Sequence, residues 1–174
     1  MIDHTSKVAA DAILRMLRQK GVGSQDMLEV RLMLECQAAA LAAERATPTD
    51  IAAIVAVIDE MAAQPKPLEA NVRLDFDFHL RVAEASHNLV LVAIMNAIRD
   101  LLYDTISATH TLDSRIGVRL SCHSAVLIGI RNHDAEAAQK AMQAHLEQTK
   151  YLVKIVEAGQ SLEQEVKPEE NVTG

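Results

Sequence analysis

The chain has 174 residues, is 49% hydrophobic but only 2% aromatic, and carries 24 acidic against 17 basic side chains for a formal net charge of −7. That balance excludes the basic footprint by which proteins hold nucleic acid, and the shortage of rings excludes a base-stacking platform. No apolar run reaches the roughly 18 residues of a membrane span, and the N-terminal stretch holds Asp3 and Asp11 but no hydrophobic signal core, so a cytoplasmic protein is expected.

An Ala-, Leu-, Val- and Ile-rich chain with 6 glycines and 4 prolines favours helices, and the sequence divides into seven of them with no strand. The first is expected over about Thr5–Lys20, with Gly21 in the left-handed cap position. The second runs over about Ser24–Ala46, with Ser24 as its N-cap. In TPTD, Thr47 caps the third helix, Pro48 takes its first position and Asp50 suits the positive end of its dipole. That helix stops before Pro65, where PKP is the clearest linker. The fourth spans about Leu68–Ser86, the fifth Leu89–Thr109, the sixth Ser114–Arg131 and the seventh Asp134–Ala158. The polar, acidic tail beyond is expected to fray. His87, His110 and His133 each fall where one helix gives way to the next. An imidazole there can bond free carbonyls, and capping is the preferred reading of all three. Cys36 and Cys122 fall within helical patterns and read as small buried hydrophobes.

Three helices carry polar residues where an apolar stripe calls for leucine. The fourth reads Leu68, Val72, Asp75, His79, Val82; the sixth Ile116, Leu120, His123, Leu127, Ile130; the seventh Ala138, Met142, His145, Thr149, Leu152. Spacings of three and four put each set on one inward face. A carboxylate and three imidazoles turned toward a core are costly unless something satisfies them, and one divalent metal would satisfy all four. Any single histidine of this kind reads more simply as a hydrogen-bonded core residue; the coincidence across three helices brings the metal reading level with it. The donor set suits a borderline transition ion (zinc, nickel, iron, cobalt or manganese) better than calcium or magnesium. A tetrahedron would close the site as a structural zinc; an octahedron would leave two positions for water or the oxygens of a small carboxylate. On the second helix Arg31 and Glu35 have the spacing of a solvated i,i+4 pair, the preferred reading. The alternative makes Arg31 an inward fork for an effector carboxylate. The chain has no P-loop, dinucleotide fingerprint or nucleophile elbow, and its single Glu-x-x-His, Glu84 to His87, falls short of a di-iron bundle.

The pieces LEVRLMLECQAAALAAERAT, DFDFHLRVAEASHN and CHSAVLIGIRNHDAEAAQKAMQAHL, in that order, resemble the C-terminal effector domain of GntR-type transcription regulators of the FadR subfamily, the FCD domain, over roughly residues 10–155. The resemblance implies an all-α antiparallel bundle of six to seven helices around a central metal and effector pocket. Residues 1–23 would be linker and first helix, 24–158 the ligand-binding bundle and 159–174 a disordered tail. It implies a divalent metal held by Asp75, His79, His123 and His145 that anchors a small organic acid. It places Arg31, of the Glu-x-Arg motif, at the effector, with Asn88, Arg73 and Arg99 as further candidates; capping is the default role of Asn88. Family members dimerise, so a homodimer is expected. The fifth helix has more apolar surface than one inward face needs, although a helix buried all round has the same pattern. Such regulators begin with a winged helix-turn-helix, which this chain is expected to lack, so DNA would be reached only through an attached unit. The expected function is effector sensing and dimerisation without catalysis. The alternatives are a purely structural zinc site and a metal-dependent hydrolase, for which no separate general base is evident.

Overall fold

The structure, a computed structural model, describes residues 16, 19, 22–63, 66–112 and 116–166. The expected first helix lies outside them apart from Met16 and Gln19, as does the end of the tail from residue 167. Among the described residues the chain forms an all-α bundle of seven helices: α1 Ser24–Arg45, α2 Pro48–Ala62, α3 Leu68–Ala85, α4 Leu89–Ala97, α5 Arg99–Leu112, α6 Ile116–Arg131 and α7 Ala135–Val166. No helix among them is long and apolar enough to cross a membrane.

Helix ends follow local chemistry. Gly23, not Ser24, is the N-cap of α1, because Asp26 Oδ2 accepts the Gly23 N–H at 3.3 Å and draws Ser24 into the helix. At α2 the expected cap forms as a reciprocal box: Thr47 Oγ1 accepts from the Asp50 N–H at 3.3 Å, and Asp50 Oδ2 accepts from the Thr47 N–H at 2.8 Å. Two of the joint histidines end their helices through the backbone. His87 (φ 50°) and His133 (φ 54°) take the left-handed conformation. After α6, the His133 N–H donates to Ile130 O and the Asp134 N–H to Gly129 O, the paired bonds of a Schellman stop. Their rings bond neighbouring helices instead: His133 Nδ1 donates to Ala43 O near the end of α1 at 2.9 Å, and His87 Nε2 lies 2.9 Å from Asp50 Oδ2.

The expected fifth helix is two. Ile98 leaves helical geometry (φ −97°, ψ 10°) between α4 and α5. Asn96 Nδ2 donates to Val92 O at 3.0 Å, and such a side-chain bond to the carbonyl one turn back competes with the backbone and bends the helix. At the other end of the chain α7 continues to Val166, past the expected end near Ala158.

α1 packs on α7, α3 and α6, and α3 on α2 and α5. One apolar cluster joins α1, α2, α3, α6 and α7 around Phe78, Ile54, Ile130 and Met142. A second joins α1, α3, α4 and α5 around Phe76, Met95, Leu102 and Ile106. Both draw on α1 and α3, the helices that also bury Arg31, Glu35, Asp75 and His79. The α6–α7 turn occupies only Asn132–Asp134, so the two helices run antiparallel. They approach so closely that a Cβ on Gly129 would lie 2.5 Å from Ala138 N.

Candidate metal centre

Asp75 and His79 arrive together, one turn apart on the buried face of α3. The α6–α7 hairpin sets His123 and His145 at one depth, with ring centroids 4.8 Å apart. The four side chains, all buried, each offer one ligand atom, and these atoms lie within 4.8 Å of one another. His145 Nε2 is 3.3 Å from His79 Nε2. Asp75 Oδ1 is 3.1 Å from His123 Nε2 and 3.9 Å from His79 Nε2. Phe78 stacks on the His123 ring at 3.8 Å and fixes its plane.

These atoms suit a cation better than one another. Asp75 Oδ1 and both ring nitrogens of His123 are buried without a hydrogen-bond partner, because the 3.1 Å approach of Oδ1 to Nε2 is out of line. An unpaired buried polar atom costs about 1–3 kcal/mol. A single ion accepting lone pairs from Asp75, His79, His123 and His145 would remove that cost for Asp75 Oδ1 and one His123 nitrogen, and three nitrogens with one oxygen are a transition-ion set.

A second layer orients the first. Glu35 Oε2 lies 2.6 Å from His79 Nδ1 without hydrogen-bond alignment, and leaves Nε2 facing the cluster. Arg31 Nε donates to Glu35 Oε1 at 2.7 Å, and its Nη2 reaches His79 Nε2 at 3.1 Å. His110 Nε2 sits 3.0 Å from Asp75 Oδ2, which turns Oδ1 toward the histidines. Arg119 Nε stands 3.8 Å from the same oxygen. A carboxylate behind a histidine and a donor behind a carboxylate are the outer partners that metal ligands commonly have.

The electrostatics keep the donors in metal-binding form. Burial alone would raise the Asp75 carboxyl, but the hydrogen bond from His110 and the close approach of the His123 and His79 rings outweigh it and hold Asp75 well below its ordinary value. Burial likewise opposes ionised Glu35, yet Arg31 and His79 bring it down to about 2. Burial pushes His145 well below the ordinary histidine value and His123 below it as well, so both rings are neutral near pH 7 with a lone pair to give.

Beside the cluster opens a cavity of about 30 Å³, room for roughly two waters. Arg31, Asp75, Thr109, Arg119, His145 and Gln148 are among the residues that line it.

The sequence reading of Arg31 and Glu35 as a solvated pair is thus corrected: both are 1% exposed. The capping reading of His110 is corrected too, since its ring faces Asp75. Its signal was a second-layer position one turn beyond Ile106 on the buried face of α5, masked by its place near a helix end. Arg119 was missed although it precedes His123 by one turn. Asn88 takes its default role: Oδ1 accepts from the N–H groups of Val90 and Leu91 at 3.2 Å and caps α4. Arg73 is exposed near Glu60, and Arg99 is exposed over the Phe76 ring; the structure brings neither to the cavity.

Residues 26–148 match the FCD domain family. Over 127 residues the chain is 32% identical to the HTH-type transcriptional regulator LutR of Bacillus subtilis (strain 168), an alignment covering 70% of this chain and 58% of LutR. It is 35% identical over 116 residues to the galactonate operon transcriptional repressor of Escherichia coli (strain K12), covering 66% and 51%. Among solved structures, Streptococcus agalactiae GntR superposes with a TM-score of 0.59 at 25% identity, covering 71% of this chain and 56% of that one. The chain spans about half the length of the curated relatives it matches.

Proposed function

The chain belongs to the FCD domain family of GntR-type regulators, and from that membership we propose that it senses a small organic acid through a divalent transition metal. The observation that carries the reading is the buried convergence of Asp75, His79, His123 and His145 beside a cavity that Arg31 enters. Zinc or nickel in that set would supply a Lewis-acidic centre for a carboxylate. Arg31, aligned by Glu35, offers a guanidinium to the same acid. The domain is regulatory rather than catalytic, as its family is.

The cavity touches α1, α3, α5, α6 and α7, so an acid seated there biases how these helices pack. It does so only as far as it binds one arrangement more tightly than the other. In a homodimer that bias changes the separation of two attached winged helix-turn-helix units, to which DNA contact is assigned.

The experiment is calorimetric titration of zinc- or nickel-loaded protein with a panel of small carboxylates. At least one acid binds, the chelated protein does not bind it, and Arg31→Ala weakens it about tenfold or more, the worth of a charged hydrogen bond. If no acid binds, and chelation changes neither melting temperature nor assembly, the reading fails. The near-complete burial of the four donors favours a second reading, a metal that only staples three helices. That reading requires metal-dependent stability with no acid binding at all.

A further inference from the structure

Most of the outer groups touch the ligand side chains on atoms that an ion does not use. Glu35 Oε2 is at His79 Nδ1, and His110 Nε2 is at Asp75 Oδ2. Arg31 differs. Its Nη2 lies 3.1 Å from His79 Nε2, the ring nitrogen that faces His145 at 3.3 Å and Asp75 at 3.9 Å. The contact falls on the ligand atom itself.

A guanidinium carries N–H donors and no acceptor, so in this bond Nε2 supplies the lone pair. An imidazole nitrogen has one such pair. Metal coordination asks for the same pair on the same atom. His79 Nε2 therefore serves Arg31 or an ion, but not both. Charge points the same way. Arg31 is 1% exposed, and so deep in the bundle a fixed cation beside a metal ligand repels a second cation strongly.

Arg31 has room to yield. Its Nε donates to Glu35 Oε1 at 2.7 Å, whereas Nη2 is 3.5 Å from Glu35 Oε2. The short bond is at Nε, so the guanidinium can turn about it and keep its carboxylate. Arg31 also lines the cavity of about 30 Å³, which gives a turned Nη2 polar space to point into.

We propose that Arg31 competes with the metal for His79 and is displaced when the site loads: it holds the Nε2 lone pair, gives that pair up, and turns on its Glu35 anchor to present Nη2 to the cavity. Loading of the site and release of the guanidinium are then one event. Arg31 opposes metal binding by the same N–H that it offers to the cavity once the metal is held. The proposal rests on the metal reading above and does not depend on which acid binds.

The test is zinc affinity by chelator competition for the native protein and Arg31→Met, with nitrogen-edited NMR of the Arg31 side chain in native protein before and after zinc. Arg31→Met holds zinc about tenfold or more tighter, the worth of a charged hydrogen bond. In the native protein, zinc speeds exchange of the Arg31 Nη2 protons with water. An Arg31→Met variant that holds zinc no more tightly than native, or Nη2 protons whose exchange zinc does not speed, overturns the proposal and leaves the four-ligand site intact. A native chain that holds no zinc sinks the metal reading, and the proposal with it. Should Arg31→Met not fold, proton exchange in the native protein decides.

Discussion

At the scale of single residues, the site is a compromise between burial and charge. Asp75, His79, His123 and His145 could be read from sequence because each interrupts an apolar stripe in register. Glu35 and His110 could not. An Arg–Glu pair at i,i+4 has the same spacing on a wet face as in a core, and a histidine near a helix end is ordinarily a cap. Since His110 holds Asp75 Oδ2, His110→Ala is expected to lower metal affinity about 10–100-fold in chelator competition, while His110→Gln, which keeps a donor, loses less. The neutral rings give a pH signature. Burial sets His123 and His145 below the ordinary value of 6.5 in the native state. Below that value the unfolded chain binds more protons than the native one, so the metal-free fold loses stability as pH falls. Its melting temperature should drop between about pH 7.5 and 5.5, and less steeply in His145→Gln. A flat profile contradicts the assigned burial of the rings.

At the scale of elements, the α2 cap was legible, the α1 cap fell one residue earlier than expected, and the bend was not legible. TPTD announced α2 because the Thr47–Asp50 box is wholly local. Thr47→Ala should cost about 1 kcal/mol, read by chemical denaturation. The bend at Ile98 ends LVLVAIMNAI, an apolar run broken only by Asn96, which gives no periodic warning. Gly129 matters more than its place in mid-helix suggests. It lets α6 approach the Ala138 backbone, and that approach keeps His123 level with His145. Gly129→Ala forces the helices apart and should destabilise by about 1–3 kcal/mol, as overpacking does, and weaken metal binding as well. Unchanged stability would mean that the hairpin has slack.

At the scale of the molecule, α4 resolves what its sequence left open. It is not buried all round: Leu89 is 83% exposed, Val90 69% and Ile94 41%. Three exposed apolar side chains on one short helix fit the homodimer expected of the family. Sedimentation should give a dimer, and Leu89→Glu with Ile94→Glu should shift it toward monomer; a monomeric native protein contradicts that assembly. The bundle itself was legible because helical periodicity and short connections allow few arrangements. How its interior polar groups meet depends on helix rotation and depth, which spacing alone does not carry.

The most direct test of the central claim is metal stoichiometry, measured by elemental analysis with native mass spectrometry on protein dialysed against zinc or nickel. Convergence of Asp75, His79, His123 and His145 on one ion predicts a single tightly held metal per chain, lost in His79→Ala and His123→Ala variants that keep their helical content. A native chain that retains no metal, or variants that retain it fully, would contradict the account.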